Sequence, residues 1–125
     1  MTGRDDARRH LDKAREFLTA AGLEYERELF TAAASSAVIA GINAKDAICL
    51  RLTGRTGKSD DHRAAVPELA AAGPAGKELE STFRRLLGLK TSAQYQAAPI
   101  GRTDATKALQ WATRMVDTAR DVTGA

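Results

Sequence analysis

Arg55 and His62 are the two residues of this 125-residue chain whose types and spacing suggest chemistry. Six residues separate them, and two glycines flank Arg55, so a loop is expected here. An arginine can hold a phosphate through a bidentate fork, and an imidazole can transfer protons near neutral pH. The pair predicts a phosphate-handling site, although a solvated histidine at the start of a helix fits the same spacing.

The setting of His62 distinguishes it from His10, the other histidine of the chain. Arg4 precedes His10 at a similar spacing, but this pair lies inside a charged helix, so we predict an ordinary surface residue for His10. His62 follows a loop at a helix start, where free backbone N–H groups and the helix dipole attract anions. Lys58 and Ser59 lie in the same loop and are predicted to hold flanking phosphates.

Other functional motifs are not supported. Gly57-Lys58-Ser59 imitates the end of a P-loop, but the preceding strand and the earlier glycine of that motif are missing. The single cysteine, Cys49, cannot form an intramolecular disulfide, and with only two histidines the chain lacks the ligands of a Cys/His zinc site. We therefore predict neither a structural metal nor a cofactor.

At these residues the chain resembles the HEPN domains, whose hallmark is an arginine followed after four to six residues by a histidine. Arg55 and His62 match that hallmark. The resemblance also covers a long alanine-rich second helix ending at residues 46–52, the loop at 54–59 and the stretch 86–95 before the last helix. This order is similar to small actinobacterial-type HEPN proteins over nearly the whole chain.

The resemblance implies a helical fold that is mostly dimeric. Many HEPN domains are metal-independent endoribonucleases, some are toxins beside a nucleotidyltransferase antitoxin, and others are catalytically silent. Thr56 stands where active relatives often have Asn, Asp or His, which leaves the activity open. Ala64 replaces the tyrosine through which nucleotidyl transfer silences some toxins, so that control route is not expected. Tyr95 resembles a family tyrosine near the cleft, where it would stack on a base or, as we favour, contribute to packing.

RNA cleavage by the RNA's own 2′-OH requires a base for that hydroxyl, an acid for the leaving 5′-oxygen and a cation for the phosphate charge. One imidazole cannot stand on both sides of the phosphorus. A two-fold homodimer that brings two copies of Arg55 and His62 to one cleft would supply both roles. The sequence thus favours a metal-independent endoribonuclease. The alternative is a non-catalytic helical module that binds a nucleotide or a partner such as a nucleotidyltransferase.

Length and composition predict one all-α domain over residues 1–125. Hydrophobic residues make up 43% and charged residues 28%, which excludes a disordered polyelectrolyte. No uncharged apolar run approaches the ~20 residues of a membrane span, and no signal-peptide core follows the N-terminus, so we expect a cytoplasmic protein without a membrane segment. The net charge of +3 is compatible with RNA. Arginine outnumbers lysine about two to one, which genomic GC bias explains as well as function does.

Hydrophobic periodicity predicts an antiparallel bundle of about five helices. The expected helices cover residues 4–21, 24–52, 61–72, 77–87 and 103–122. Gly22 and Gly88 are expected to end the first and fourth helices, and Pro67 to kink or shorten the third. Residues 89–101 are expected to be extended.

The middle of the second helix, residues 31–42, carries no charge and must be buried nearly all round. Its small residues, including Ala37 and Ala40, suit either a tight neighbour within the chain or a dimer seam, and we favour the seam. Asn43 and Asp46 flank this stretch, and we favour buried hydrogen bonds across the seam over a catalytic role for them. Trp111 and Met115 share a helix face and are expected to be packing residues.

Overall fold

The computed structural model describes residues 3–57 and 62–124, with His62 described through its backbone alone. Within these residues the chain forms six helices and no strand. They are α1 (Gly3–Glu26), α2 (Phe30–Thr53), α3 (His62–Ala71), α4 (Pro74–Glu78), α5 (Glu80–Gln94) and α6 (Arg102–Thr123). The prediction of an all-α helical bundle is confirmed, with α4 as an additional short helix.

Helix α2 forms the centre of the bundle and contacts α1, α5 and α6. Its small residues allow this close packing, because a Cβ atom on Gly41 would overlap the side chain of Leu86 in α5. Ala37 and Ala40 have no exposed surface within the single chain. The prediction of a dimer seam through these residues is therefore wrong, because they pack against neighbouring helices of the same chain.

The same central position explains the apolar character of α2. By length and composition alone, α2 is long and apolar enough to cross a membrane. However, 61% of its most apolar 18-residue stretch is buried inside the bundle. A helix that is hydrophobic nearly all round is expected at the centre of a helical domain as much as in a bilayer.

The connection between α1 and α2 differs from the predicted one. Helix α1 continues through Gly22 to Glu26, and the chain turns at residues 27–29, where Glu28 has a positive φ of 61°. Arg102 at the start of α6 holds this turn, because its guanidinium lies 2.5 Å from the Glu28 carboxylate and over the ring of Phe30. Tyr25, beyond Gly22, packs against the core, and its hydroxyl lies 2.8 Å from Thr106 Oγ1 of α6, so contacts with a distant helix support the extension of α1, which local sequence could not predict.

The later boundaries agree with the expectations only in part. Helix α3 ends at Ala71, close to the expected residue 72, and Pro67 does not stop it. The gap expected between the third and fourth helices contains the start of α4, with Pro74 at its first position. Helix α5 continues through Gly88 to Gln94, because Leu89 and other residues beyond Gly88 pack against the core. The segment expected to be extended is therefore helical over its first half.

Two glycines give opposite predictions for the same substitution. Gly76 in α4 is buried, and a Cβ atom there would overlap the backbone carbonyl oxygen of Leu69 in α3, whereas Gly88 in α5 is exposed with nothing within 4 Å. We expect Gly76→Ala to lower the free energy of unfolding by about 2–3 kcal/mol, since backbone must move. Gly88→Ala should raise it by about 0.5–1 kcal/mol. Urea denaturation of both variants tests this packing, and equal effects would contradict it.

Candidate functional site

Arg55 lies in the short segment that follows α2, and its backbone is held by local contacts. Gly54 ends the helix in a left-handed conformation, with φ of 79°, and its N–H donates to the carbonyl of Leu50 at 2.9 Å. The hydroxyl of Thr53 lies 2.9 Å from the carbonyl oxygen of Arg55. These contacts fix the backbone of Arg55, while its side chain stays exposed.

Beneath this segment lies a buried ionic network around Lys45 of α2. The Lys45 side chain is only 3% exposed. Its ammonium group donates to Thr56 Oγ1 at 2.8 Å, to Asp46 Oδ1 at 3.3 Å, and to Glu68 Oε1 of α3. An ammonium has three N–H groups, so all its donors are satisfied. Burial of this charge is tolerated because it is paired and fully hydrogen-bonded.

The network also anchors the segment after Arg55 to both neighbouring helices. The hydroxyl of Thr56 donates to Asp46 Oδ1 of α2 at 2.6 Å. The backbone N–H of Gly57 donates to Glu68 Oε1 of α3 at 2.9 Å. Arg55 thus lies between Thr53 of α2 and the anchored residues Thr56 and Gly57. Its position therefore follows from the packing of α2 and α3.

The charges of the network hold each other in their ionised forms. Burial alone would lower the pKa of Lys45, but the hydrogen bond to Glu68 and the charge of Asp46 outweigh burial, and the pKa is raised. Burial alone would raise the pKa of Glu68, but the hydrogen bonds from Gly57 and Lys45 lower it overall. Both groups therefore stay charged around neutral pH.

Cys49 lies next to this network and is not suited to act as a nucleophile. Its thiol is buried, and burial raises its pKa to about 11. A thiol with such a pKa is almost entirely protonated at neutral pH, and the thiolate is the reactive form. Cys49 is therefore a packing residue at the junction of α2 and α3.

His10 belongs to the same polar region and is not the ordinary surface residue expected from the sequence. Its Nδ1 lies 2.9 Å from Asn43 Oδ1 and 3.9 Å from Asp46 Oδ2, and 30% of its side chain is exposed. The Asn43 amide nitrogen donates to the carbonyl of Ile39, so the Asn43 oxygen accepts and His10 Nδ1 is the donor. Asn43 and Asp46 are partly buried and form these hydrogen bonds within one chain, not across the predicted seam.

The predicted site residues fall into three groups. Arg55 and the backbone start of α3 at His62 both lie at the α2–α3 junction. Lys58 and Ser59, like the side chain of His62, lie outside the described residues. Tyr95 lies at the end of α5 and is 73% exposed, so it does not pack within the chain.

The structure does not bring Tyr95 and Arg55 together within one chain. The residue before Tyr95, Gln94, donates to the Ser35 hydroxyl near the start of α2 at 3.3 Å. Arg55 follows the other end of α2, and twenty helical residues span about 30 Å. Tyr95 and Arg55 therefore lie at opposite ends of the molecule.

The Arg55 segment borders an open groove of about 390 Å³. Its lining includes the Arg55 side chain together with Thr53, Thr56, Gly57, Glu68, Ala71 and Ala72. Because Glu68 is paired with Lys45 beneath the groove, its negative charge is offset and does not leave Arg55 facing an unpaired acid. Among the described residues, no group of three His, Cys, Asp or Glu side chains forms a metal-binding cluster.

Sequence reasoning missed Lys45 and Glu68, the residues at the centre of this network. One signal was present, since Lys45 lies at helical spacing from the buried residues Val38, Gly41 and Ile48. A lysine on a buried face requires an acidic partner. The identity of that partner, Glu68, depends on how α3 packs and could not be read from spacing.

The helical arrangement agrees with the result of family comparison. The family model of the HEPN domain matches residues 7–122, almost the whole chain. The chain belongs to the HEPN family. In this HEPN domain, the matched region includes all the network residues and the hallmark pair Arg55 and His62. A comparison with curated proteins gives no match.

The ionised network predicts a defined pH dependence of stability. The folded-state pKa of Glu68 is lowered from its ordinary value of 4.5, so its contribution is fully present above that pH and is lost as pH falls through the folded value. The raised pKa of Lys45 keeps the partner charged throughout this range. We expect the Tm difference between wild type and Glu68→Gln to be constant from pH 6 to 9 and to shrink below about pH 4.5.

Thermal unfolding followed by circular dichroism over pH 3–9 measures this difference. Glu26→Gln, a substitution of the same type at the far end of α1, is the matched control and should show no such trend. A Tm difference for Glu68→Gln that stays constant down to pH 3 would contradict the role of Glu68.

Proposed function

We propose that this HEPN domain is an endoribonuclease that cleaves single-stranded RNA with Arg55 and His62. The observation that carries the proposal is the anchoring of the Arg55 segment. An exposed arginine stands between residues fixed to α2, and the same buried network reaches Glu68 on α3, the helix that starts at His62. Sites of this kind require functional groups on a rigid support.

The proposed reaction uses the RNA 2′-hydroxyl as the nucleophile. The 2′-oxygen forms a bond to phosphorus while the bond from phosphorus to the 5′-oxygen breaks. A neutral imidazole takes the 2′ proton, and an imidazolium gives a proton to the leaving 5′-oxygen. The Arg55 guanidinium stabilises the charge that develops on the phosphate oxygens. The products are a 2′,3′-cyclic phosphate and a 5′-hydroxyl end.

The reaction needs a base and an acid on opposite sides of the phosphorus, so the proposal includes a homodimer. Two copies of His62 facing one cleft supply both roles, and HEPN domains commonly form homodimers and bind RNA. The dimer contact does not use Ala37 or Ala40, which are buried within the chain. Lys58 and Ser59 are proposed to hold phosphates that flank the cleaved bond.

A cellular role follows from the proposed activity. We propose a cytoplasmic enzyme that acts as a toxin or in defence and is controlled by a partner. A nucleotidyltransferase antitoxin remains one candidate partner. Ala64, however, offers no hydroxyl at the position where some HEPN toxins are modified, so control by a bound partner fits this chain better than control by that modification.

One observation favours the alternative of a non-catalytic module. Thr56 follows Arg55, and its hydroxyl is engaged by Lys45 and Asp46 beneath the surface. This hydroxyl therefore contributes to the fold and is not free to act on a substrate. In that case the same junction would bind a nucleotide or RNA without cleaving it.

RNA cleavage by site variants tests the proposal. Purified protein should cleave single-stranded RNA in the presence of EDTA, because arginine and histidine side chains supply the charge and the proton transfer. His62→Ala should reduce the cleavage rate about a hundredfold or more. Arg55→Lys should also be impaired, since it keeps the charge but loses the fork. Arg27→Lys is the matched control, because Arg27 lies in the turn that follows α1, far from Arg55. This variant should retain full activity.

The pattern of outcomes separates the two functions. Equal cleavage by wild type and His62→Ala would identify a contaminating nuclease and remove the catalytic assignment. RNA binding without cleavage would support the non-catalytic module. His10→Ala is unsuitable as a silent control, because it removes the partner of Asn43 and should cost about 1 kcal/mol of stability.

The oligomeric state tests the composite site. Static light scattering at micromolar protein concentration should give twice the chain mass of 13.3 kDa. Because each cleft needs two copies of the chain, the specific activity should fall when the protein is diluted below the dimer dissociation constant. A monomer with undiminished specific activity at every concentration would contradict the composite site.

A further inference from the structure

We propose that a groove lined by Arg4, Arg8 and Arg51 binds the phosphate backbone of single-stranded RNA that passes the Arg55 junction, an inference that rests on the proposed function. The groove is open and has a volume of about 440 Å³. Arg4 and Arg8 lie on the first turns of α1, and Arg51 lies in the last turn of α2. Asp5, Thr123 and Gly124 complete its lining.

The groove adjoins the Arg55 segment, because Gly3 lies beside Gly54. A Cβ atom on Gly3, at the start of α1, would lie 3.6 Å from the Cα atom of Gly54. Gly54 directly precedes Arg55, and Gly3 directly precedes Arg4. The groove is therefore next to the proposed reaction site, so one strand of RNA can lie across both.

The spacing of the arginines suits successive phosphates. Arg4 and Arg8 are four residues apart, which places them on one helix face with Cβ atoms about 5–6 Å apart. Arg51 approaches from the second wall of the groove. Each guanidinium can hold a phosphate through two parallel hydrogen bonds. A basic groove that follows the backbone is the usual basis of binding to single strands.

The pairing of the surface arginines supports the choice of this groove. Several exposed arginines elsewhere already have an acidic partner: Arg84 with Glu80, Arg102 with Glu28 and Arg120 with Asp117. By contrast, Arg4, Arg8 and Arg51 form no ion pair with any other residue that the structure describes, and, unlike Arg27 and Arg85, which also form none there, all three line one groove. Against the one carboxylate of Asp5, the groove carries an excess of positive charge that an anion can neutralise.

A structural role predicts a different result for the same residues. The groove contains the last residues of α6, and cations near helix C-termini stabilise the folded chain. If the arginines only served the helix ends, their removal would lower Tm without changing the affinity for RNA. If they bind phosphate, their removal would weaken RNA binding and reduce its dependence on salt, while Tm stays near that of the parent.

The experiment measures RNA binding by a full-length chain that cannot cleave. The parent is His62→Ala, and the test variant adds Arg4→Gln, Arg8→Gln and Arg51→Gln. The probe is a fluorescent 12-nucleotide single-stranded RNA of mixed sequence, followed by anisotropy from 50 to 300 mM salt. We expect the dissociation constant to rise about tenfold or more, and the slope of log affinity against log salt to fall by about 2, since each phosphate contact contributes about 0.7.

A charge-matched control removes three positive charges outside the groove. Arg27→Gln, Arg85→Gln and Lys107→Gln in the same parent should leave the affinity within about twofold. AMP serves as a single-phosphate probe and should bind far more weakly than the 12-mer, because a backbone groove needs several phosphates.

Each other outcome has a defined meaning. Equal weakening by the control, equal binding of AMP and the 12-mer, a fall in Tm with unchanged affinity, or no RNA binding by the parent would overturn the groove proposal. Groove-dependent binding in a chain whose wild type does not cleave would support the groove and reject the cleavage. Cleavage by wild type, together with unchanged RNA binding by the groove variant, would support the cleavage proposal and reject the groove proposal.

Discussion

The junction of α2 and α3 depends on one constraint, which is that the buried ammonium group of Lys45 must be paired. An isolated charge with 3% exposure would be strongly unfavourable, and loss of one partner from a buried ion pair costs about 3–5 kcal/mol. Glu68 can pair with Lys45 only when α3 packs against the end of α2. Satisfying this single cation therefore fixes the relative position of the two helices and of residues 56 and 57 after α2.

The same constraint connects stability to function in this HEPN domain. The residues that satisfy Lys45 also bind the backbone and side chain of the segment after Arg55. The Arg55 side chain takes no part in this anchoring, which acts on backbone atoms and neighbouring residues, so its guanidinium remains exposed for a ligand. Anchoring of a loop by buried groups beneath it is a common way to combine a rigid site with an exposed functional side chain.

The two ends of the bundle have different characters. At one end lie the Arg55 junction and, beside it, the groove whose arginines form no ion pair with the residues that the structure describes. At the other end Arg102 is engaged, since it pairs with Glu28 and lies over Phe30. The groove arginines are thus available to a ligand, whereas Arg102 contributes to the fold.

The sequence by itself determined the helical class and the uncharged, apolar character of residues 31–42, because these depend on composition and helical periodicity. Only half of residues 31–42 are fully buried, so burial nearly all round was not determined by the sequence. The tertiary structure alone decided what the small residues of α2 pack against, since the same pattern suits a neighbour in the chain and a second copy equally well. It also decided where α1 ends and that α5 continues past Gly88, because contacts with distant helices outweigh the preference of glycine to stop a helix. The pairing of Lys45 with Glu68 and the separation of Tyr95 from Arg55 belong to the same group. Each depends on how helices that are far apart in the sequence pack against each other, and local residue spacing does not predict that packing.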